Sequence, residues 1–153
     1  MNAIELLKED HVKVKQLLEQ MSGTTERAAK TRTELLKKIA MELEVHTALE
    51  EEIFYPALRE AGGKEELKMF HEAKEEHRAV TALVLPDLLD TEPASVEFSG
   101  RIKVLKELLE HHIEEEESEM FPDASDLLGE EELMNLGQKM KDRKKDLRAS
   151  LST

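Results

Sequence analysis

The chain has 153 residues, a length suited to one domain with one hydrophobic core. Leu, Glu, Lys and Ala are abundant while Gly, Pro and aromatic residues are few, a composition that favours amphipathic helices over strands. The net charge of -13 argues against a nucleic-acid partner, because the phosphates would repel the protein. The absence of cysteine excludes disulfides, thiolate zinc sites and thiol catalysis.

The beginning of the chain and its hydropathy predict a cytoplasmic protein. The first segment is acidic and has no apolar run long enough for a signal peptide. No segment approaches the length of a membrane span, so a membrane is not an expected partner.

The first half of the chain predicts two amphipathic helices. The first begins after Asn2, a suitable N-cap, and is broken by the residues from Ser22 to Thr25. The second begins at about Thr33, is bent or ended by Pro56, and stops at Gly62.

The second half predicts two further long helices and a shorter segment. The third helix is expected to kink at Pro86, and a turn with a proline at the start of the next helix follows at residues 90–93. The fourth helix is expected to end at Pro122. A last amphipathic segment has a basic outer face from Lys139 to Arg148 and is expected to cap the bundle or lie along it.

These segments predict an all-α fold. The expected architecture is an antiparallel up-down-up-down four-helix bundle over residues 1–125. Residues 126–153 are expected to form an additional C-terminal helix packed on that bundle.

One pattern occurs twice, on the second and the fourth predicted helix. His46 is followed four residues later by Glu50 and ten residues later by a proline, and His112 and Glu116 repeat this spacing. Residues four apart lie on the same face of a helix, so each imidazole and carboxylate can converge on one metal ion.

The first and third helices each carry one further histidine on the apolar face, His11 and His77. A lone histidine there is more often a hydrogen-bonded core residue than a ligand. Four of them, together with two glutamates that are costly to bury without compensation, indicate a metal site instead. His46 and His77 are centred on the predicted turn near Gly62, as ligands at one depth of an antiparallel bundle must be.

The set of donors indicates which metals the site suits. Imidazole and carboxylate without thiolate suit iron, manganese or zinc. Two bridging carboxylates with two histidines per metal indicate a dinuclear site in the core of a bundle.

This ordered set of residues resembles the haemerythrin-like (HHE cation-binding) family, over about residues 1–125. The residues that carry the resemblance are His11, His46-x-x-x-Glu50, His77 and His112-x-x-x-Glu116, with Phe54-Tyr55-Pro56 and Met120-Phe121-Pro122. The resemblance implies a four-helix bundle that holds two iron ions (Fe2+/Fe3+) joined by a bridging oxo or hydroxo group. It also implies that Glu50 and Glu116 bridge the irons, with His11 and His46 on one iron and His77 and His112 on the other.

The chain departs from the oxygen-carrying haemerythrins in two positions. These carriers have a fifth histidine one turn before the third-helix ligand, where this chain has Ala73. They also have an aspartate one residue beyond the position of Glu116. The iron bound by His77 and His112 would therefore lack a protein ligand. This argues against simple reversible oxygen carriage and favours redox chemistry.

Tyr55, the only tyrosine, is a possible additional ligand or hydrogen-bond partner in the iron pocket. A phenolate is a hard oxygen donor that favours ferric iron. On an ideal helix Tyr55 points away from His46, although Pro56 disfavours helical geometry for the residue before it and could re-aim the side chain. Packing of the ring at a helix end is the simpler interpretation.

The remaining histidines and acidic residues near the motifs are not expected to bind the metal directly. His71 and His111 lie off the ligand face. The acidic run of the fourth helix is interpreted as a solvated face, with a possible part in attracting metal. It comprises Glu114, Glu115, Glu117 and Glu119.

The sequence thus predicts a non-haem di-iron protein that binds O2, NO or peroxide and acts in small-molecule sensing or redox defence. One alternative is a catalase- or peroxidase-like enzyme that uses the same centre. Another is a protein that stores or delivers iron. Small diatomic molecules or peroxide are the expected partners, and the sequence names no protein partner.

Overall fold

The chain folds into α-helices joined by three π-helical turns in a computed structural model that describes residues 1–151. The α-helices are α1 (Ala3–Ser22), α2 (Ala29–Leu49), α3 (Tyr55–Ala61), α4 (Lys64–Arg78), α5 (Leu85–Leu89), α6 (Val96–Glu115) and α7 (Phe121–Leu151). The π turns are π1 (Glu50–Phe54), π2 (Ala79–Val84) and π3 (Glu116–Met120). No strand occurs in this part of the chain, so the predicted all-α class is confirmed.

These pieces form four bundle helices. The first is α1, the second runs through α2, π1 and α3, and the third runs through α4, π2 and α5. The fourth consists of α6, π3 and the first part of α7. Short connections at residues 23–28, 62–63 and 90–95 make neighbouring helices antiparallel. Within the described residues, none of the helices combines the length and hydrophobicity needed to cross a bilayer.

Most predicted helix limits are close to those observed. α2 begins at Ala29, earlier than the predicted Thr33. The fourth helix begins at Val96 rather than at Pro93, because the hydroxyl of Ser95 caps it by accepting a hydrogen bond from the backbone N–H of Phe98.

Each π turn ends two positions before a proline, with one residue between them; the prolines are Pro56, Pro86 and Pro122. A proline has no N–H to donate, and its ring collides with the carbonyl of the preceding helical turn. A widened π turn accommodates both defects, so the helical path continues through all three prolines. The predicted end of the fourth helix at Pro122 is therefore wrong.

The fourth helix is interrupted at Gly129 instead. Gly129 has a φ of 77°, a left-handed conformation that glycine adopts without the steric cost of a Cβ atom. The C-terminal helix that follows packs against α1 and α2. At Gly137 it lies so close to the start of the chain that an added Cβ would come within 2.4 Å of the carbonyl oxygen of Met1.

Two hydrophobic clusters fill the bundle, one towards each end. One contains Leu7, Leu49 and Met120, and the other contains Val14 and Leu105. In every bundle helix one buried histidine lies between residues of the two clusters: His11, His46, His77 and His112. A polar layer therefore crosses the apolar core at one depth.

Candidate metal centre

Six buried side chains form the polar layer of the bundle. They are His11 from α1, His46 from α2, Glu50 from π1, His77 from α4, His112 from α6 and Glu116 from π3. None of the six is more than 6% exposed. The structure thus brings together all six of the residues that the sequence indicated.

The possible ligand atoms fall into two groups of four, and within each group they lie within 4.8 Å of one another. One group contains His11 and His46, and the other contains His77 and His112. Glu50 and Glu116 belong to both groups. This is the arrangement needed for two metal ions that share two carboxylates.

The two glutamates each face one histidine of each group. Glu116 places Oε1 at 3.0 Å from Nε2 of His11 and Oε2 at 3.4 Å from Nε2 of His112. Glu50 places Oε1 at 3.1 Å from Nε2 of His46 and at 3.2 Å from Nε2 of His77. Each carboxylate therefore spans the two groups.

These close atoms are not joined by a regular hydrogen-bond network. Nε2 of His11, Nε2 of His46, both carboxylate oxygens of Glu50 and Oε1 of Glu116 are buried without a hydrogen-bond partner. Buried polar atoms are normally paired, and leaving carboxylate oxygens unpaired is costly. Metal–ligand bonds of about 2.1 Å would bring neighbouring ligand atoms to about 3 Å from each other, which matches the observed spacing. The site thus fits imidazole- and carboxylate-binding metals such as iron.

A second layer of carboxylates surrounds the four histidines. Each Nδ1 atom contacts a carboxylate on a different helix. The pairs are His11 with Glu117 (2.6 Å), His46 with Asp10 (3.0 Å), His77 with Glu51 (2.9 Å) and His112 with Glu76 (2.7 Å). In a neutral imidazole such a partner fixes Nδ1 as the protonated nitrogen and leaves the lone pair of Nε2 available to a metal ion.

This second layer is not among the features predicted from the sequence. The prediction that Glu117 lies on a solvated face is wrong, because Glu117 contacts His11 and its side chain is only 31% exposed. A signal was present, since every one of these carboxylates is the direct chain neighbour of a residue in the polar layer. Their pairing across helices depends on the bundle and could not be read from one helix.

Tyr55 reaches the polar layer. Its hydroxyl donates a short hydrogen bond to Oε2 of Glu116 and lies 3.3 Å from Nε2 of His77. Its ring also stacks on the imidazole of His77, with centroids 5.5 Å apart and planes inclined by 26°. Tyr55 itself has α-helical backbone angles, so a non-helical conformation before Pro56 does not explain the direction of its side chain. The extra residue in the turn of π1 directs the side chain towards the layer instead.

Phe121 occupies the corresponding position in the other half of the site. Its ring stacks on His11 with centroids 5.7 Å apart and planes inclined by 4°. The repeat in the sequence is therefore also a repeat in space, with an aromatic ring on one histidine of each group. Of these two rings, that of Tyr55 carries a hydroxyl group and that of Phe121 does not.

Opposite charges within the layer shift the pKa values of His46 and Glu50 in the direction that favours their ionised forms. Burial lowers the pKa of His46, but the carboxylates of Glu50 and Asp10 outweigh burial and raise it to about 10. Burial raises the pKa of Glu50, but the neighbouring histidines bring it well below its usual value. Burial and the two glutamates raise the pKa of Tyr55, so its hydroxyl keeps a proton. Protons and metal ions thus compete for the same atoms.

A small cavity lies beside the four histidines, on the side away from Tyr55. Its volume is about 20 Å³, room for about one water-sized molecule. Apart from the histidines, most of its wall is apolar, formed by Val14, Leu43, Val80, Leu109 and Ile113. Thr47 and Thr81 line both this cavity and a groove on the protein surface.

A second cavity, of about 40 Å³, touches His112 and Glu116 and is bordered by Ala73. Its other walls include the carboxylates of Glu72, Glu76, Glu115 and Glu119. His71 and His111 are exposed and do not join the polar layer. The side chain of His111 instead contacts Glu115, at 2.9 Å.

The model of the Hemerythrin HHE cation binding domain family matches residues 2–124 of the chain. The chain belongs to the haemerythrin HHE family. The resemblance inferred from the two His-x-x-x-Glu patterns is therefore confirmed.

Two curated mycobacterial relatives match almost the whole chain. They are "Uncharacterized protein Rv2633c" from Mycobacterium tuberculosis and "Uncharacterized protein Mb2666c" from Mycobacterium bovis. Each is 32% identical over 151 residues, which is 98% of this chain and 89% of the relative. Their similarity thus extends past the family domain into the C-terminal helix.

A solved structure shows the same fold. It is the crystal structure of a Hemerythrin HHE cation binding domain-containing protein from Mycobacterium kansasii, described as an Rv2633c homolog. It is 33% identical and superposes with a TM-score of 0.85, covering 98% of this chain and 89% of that chain.

We expect metal uptake to release protons from this haemerythrin-family protein. The raised pKa values of His46, His77 and His112 mean that a metal ion must displace protons at neutral pH. The apparent affinity for Zn2+ should therefore rise with pH up to about 10, the pKa of His46 in the folded protein. Calorimetric titration in buffers of different ionisation enthalpy measures the number of protons released.

The thermal stability of the metal-free protein should fall with rising pH, whereas its affinity for metal should rise. Stability from the raised pKa of His46 is complete below pH 6.5 and is lost as pH rises through about 10, so thermal stability should fall over that interval. His71→Ala is the control for proton release, because His71 is exposed and belongs to none of the groups of residues that could hold a metal ion. Zinc binding at pH 7 without proton release would contradict the expectation.

Proposed function

We propose that the chain is a dinuclear non-haem iron protein that binds O2, NO or peroxide and acts in small-molecule sensing or redox defence. The observation that carries this proposal is the apolar cavity of about 20 Å³ against all four histidines of the layer. Its volume suits a diatomic molecule or peroxide and is too small for an organic substrate.

The residues of the layer would divide between two irons. His11 and His46 would hold one ion, His77 and His112 would hold the other, and Glu50 and Glu116 would bridge them. Bound iron would supply reversible electron transfer and a coordination position for a small ligand. The second layer of carboxylates would orient the imidazoles and increase their basicity.

The side chains around the layer would limit the access of water to the metal centre. On the cavity side, aliphatic side chains such as Val14, Leu43 and Leu109 limit entry of water. On the other side, the buried rings of Tyr55 and Phe121 cover His77 and His11. An added ligand would approach through the cavity beside the four histidines or through the second cavity beside Ala73, which touches His112 and Glu116.

Tyr55 favours peroxide chemistry as a second candidate function. Ala73 provides no ligand where oxygen carriers have histidine, and the hydroxyl of Tyr55 is 3.3 Å from Nε2 of His77. If iron displaced the proton that Tyr55 donates to Glu116, the resulting phenolate would stabilise ferric iron, which opposes O2 carriage and suits reaction with peroxide. In disproportionation, one peroxide takes two electrons and two protons and becomes two waters, while a second peroxide gives them up and leaves as O2.

Iron content and visible absorption test the proposal. We expect two irons per chain after anaerobic loading with Fe2+, with absorption bands in air that bleach on reduction and return with oxygen. Glu50→Gln and His77→Ala should lower the iron content, because each removes an atom from the layer. His71→Ala should keep two irons, since His71 is exposed and belongs to none of the groups of residues that could hold a metal ion.

The same samples separate the alternatives. Reversible adducts with NO or O2 and little turnover would identify a binding protein. Sustained peroxide consumption would identify a catalase-like enzyme. Iron that chelators remove readily would favour storage or delivery. A colourless protein that binds only zinc, or no metal, would contradict the di-iron proposal.

Replacing Tyr55 by Phe tests the role of its hydroxyl. We expect Tyr55→Phe to keep two irons and to change the visible spectrum of the ferric protein, with loss of any phenolate-to-iron band. Phe70→Leu is the control, because the ring of Phe70 packs edge-on against Tyr55 at 6.3 Å but has no polar atom. An unchanged ferric spectrum in Tyr55→Phe would reject ligation by Tyr55.

Access to the cavity should depend on Thr47 and Thr81, which line both the cavity and the surface groove. We expect Thr47→Leu and Thr81→Leu to slow azide binding to the ferric protein about tenfold, an added barrier of about 1.4 kcal/mol, measured by stopped-flow absorption. Ala48→Leu is the control, because Ala48 lines the groove and not the cavity. Equal rates in all three variants would show that the ligand enters elsewhere.

A further inference from the structure

The four carboxylates that contact the histidines are not equivalent. Asp10 is buried, with its side chain 4% exposed, whereas the side chains of Glu51, Glu76 and Glu117 are 29%, 26% and 31% exposed. Asp10 also binds the ammonium group of Lys144. Among the ion pairs of the described residues, no Lys or Arg is paired with any of the other three carboxylates.

Lys144 reaches Asp10 from outside the family domain. It lies on the C-terminal helix, beyond residue 124, where the match to the family ends. Its side chain is only 16% exposed, so the pair lies inside the protein rather than on its surface. The C-terminal helix thereby contributes a charge to the second layer of the metal centre.

A continuous series of contacts links this lysine to the polar layer. Lys144 donates a hydrogen bond to Oδ1 of Asp10, and Oδ2 of Asp10 lies 3.0 Å from Nδ1 of His46. Nε2 of His46 faces Oε1 of Glu50 at 3.1 Å. The carboxylate of Asp10 therefore contacts the lysine through one oxygen and the imidazole through the other.

The contact of Asp10 with Lys144 affects how strongly Nε2 of His46 can donate electrons to a metal ion. A carboxylate that accepts a hydrogen bond from Nδ1–H increases the electron density on Nε2, the nitrogen available to a metal. A cation on the other carboxylate oxygen draws charge away and weakens this effect, strongly so where the dielectric is low. Within residues 1–151, the carboxylate partners of His11, His77 and His112 form no ion pair with a Lys or Arg.

Attachment of the C-terminal helix does not by itself account for the pair. Arg143 with Glu52 and Arg148 with Glu42 already join this helix to the second bundle helix through more exposed contacts. The helix also approaches the start of α1 at Gly137. Burying a further ion pair costs desolvation that such surface contacts avoid.

We propose that Lys144 is a positioning residue that acts through Asp10, orients His46 and lowers its donor strength, and thereby makes the His11/His46 metal position electronically different from the His77/His112 position. The inference rests on the proposed dinuclear metal centre. It assigns to the C-terminal helix a part in setting the properties of that centre.

The zinc-loaded protein provides a direct test, because Zn2+ is diamagnetic and the four Nδ1–H protons are observable by NMR. Lys144→Met should move the Nδ1–H resonance of His46 downfield, since Asp10 becomes the stronger acceptor once the cation is removed. The resonances of His11, His77 and His112 are internal references and should move much less. Lys144→Arg should restore the resonance of His46 towards its original position.

Lys145→Met is the matched control. Lys145 is the next residue and is exposed, and its replacement by Met removes the same charge from the chain. No shift of the His46 resonance, or equal shifts of all four, would overturn the proposal. So would a Lys144→Met protein that no longer binds zinc while Lys145→Met does, since Lys144 would then only hold the structure. Wild-type protein that binds no zinc would instead reject the metal centre itself.

The iron-loaded protein gives a second measurement. Removing the cation should favour the ferric state, so the reduction potential of one of the two irons should fall in Lys144→Met and change less in Lys145→Met. Equal potentials in the two variants would contradict action through Asp10.

Discussion

The structure depends on the burial of two carboxylates in the core of a helical bundle. Glu50 and Glu116 are almost fully inaccessible to water, and both oxygens of Glu50 are without a hydrogen-bond partner. In an apolar interior such groups are stable only beside positive charge. The two glutamates face four histidines and lie between the two hydrophobic clusters. The positive charge that they need can come from protonated imidazoles or from metal ions.

The prolines and the site are connected through the π turns. π1 and π3 begin at Glu50 and Glu116 and end one residue before an aromatic residue that packs on a histidine. π2 contains no ligand, but its Thr81 borders the cavity beside the histidines. Single π turns inside α-helices are frequent at functional sites, and here each one relieves a proline while re-aiming a neighbouring side chain.

The two halves of the site are related by the repeat and differ in two details. Tyr55 brings a hydroxyl to one half, where Phe121 brings only a ring to the other. Lys144 brings a cation to the partner of His46. Both details place different surroundings on two otherwise similar groups of ligands. The two groups of ligands therefore have similar residues but different surroundings.

The sequence by itself determined the helical class, the family and the six residues of the polar layer, because four-residue spacing and apolar faces are local properties of a helix. It did not determine the direction of Tyr55 or the course of the helix through Pro122, since both depend on π turns that the apolar pattern does not reveal. Only the tertiary structure decided which carboxylate meets which histidine. The contact of Lys144 with Asp10 joins residues 134 positions apart, and no pattern within one helix specifies it.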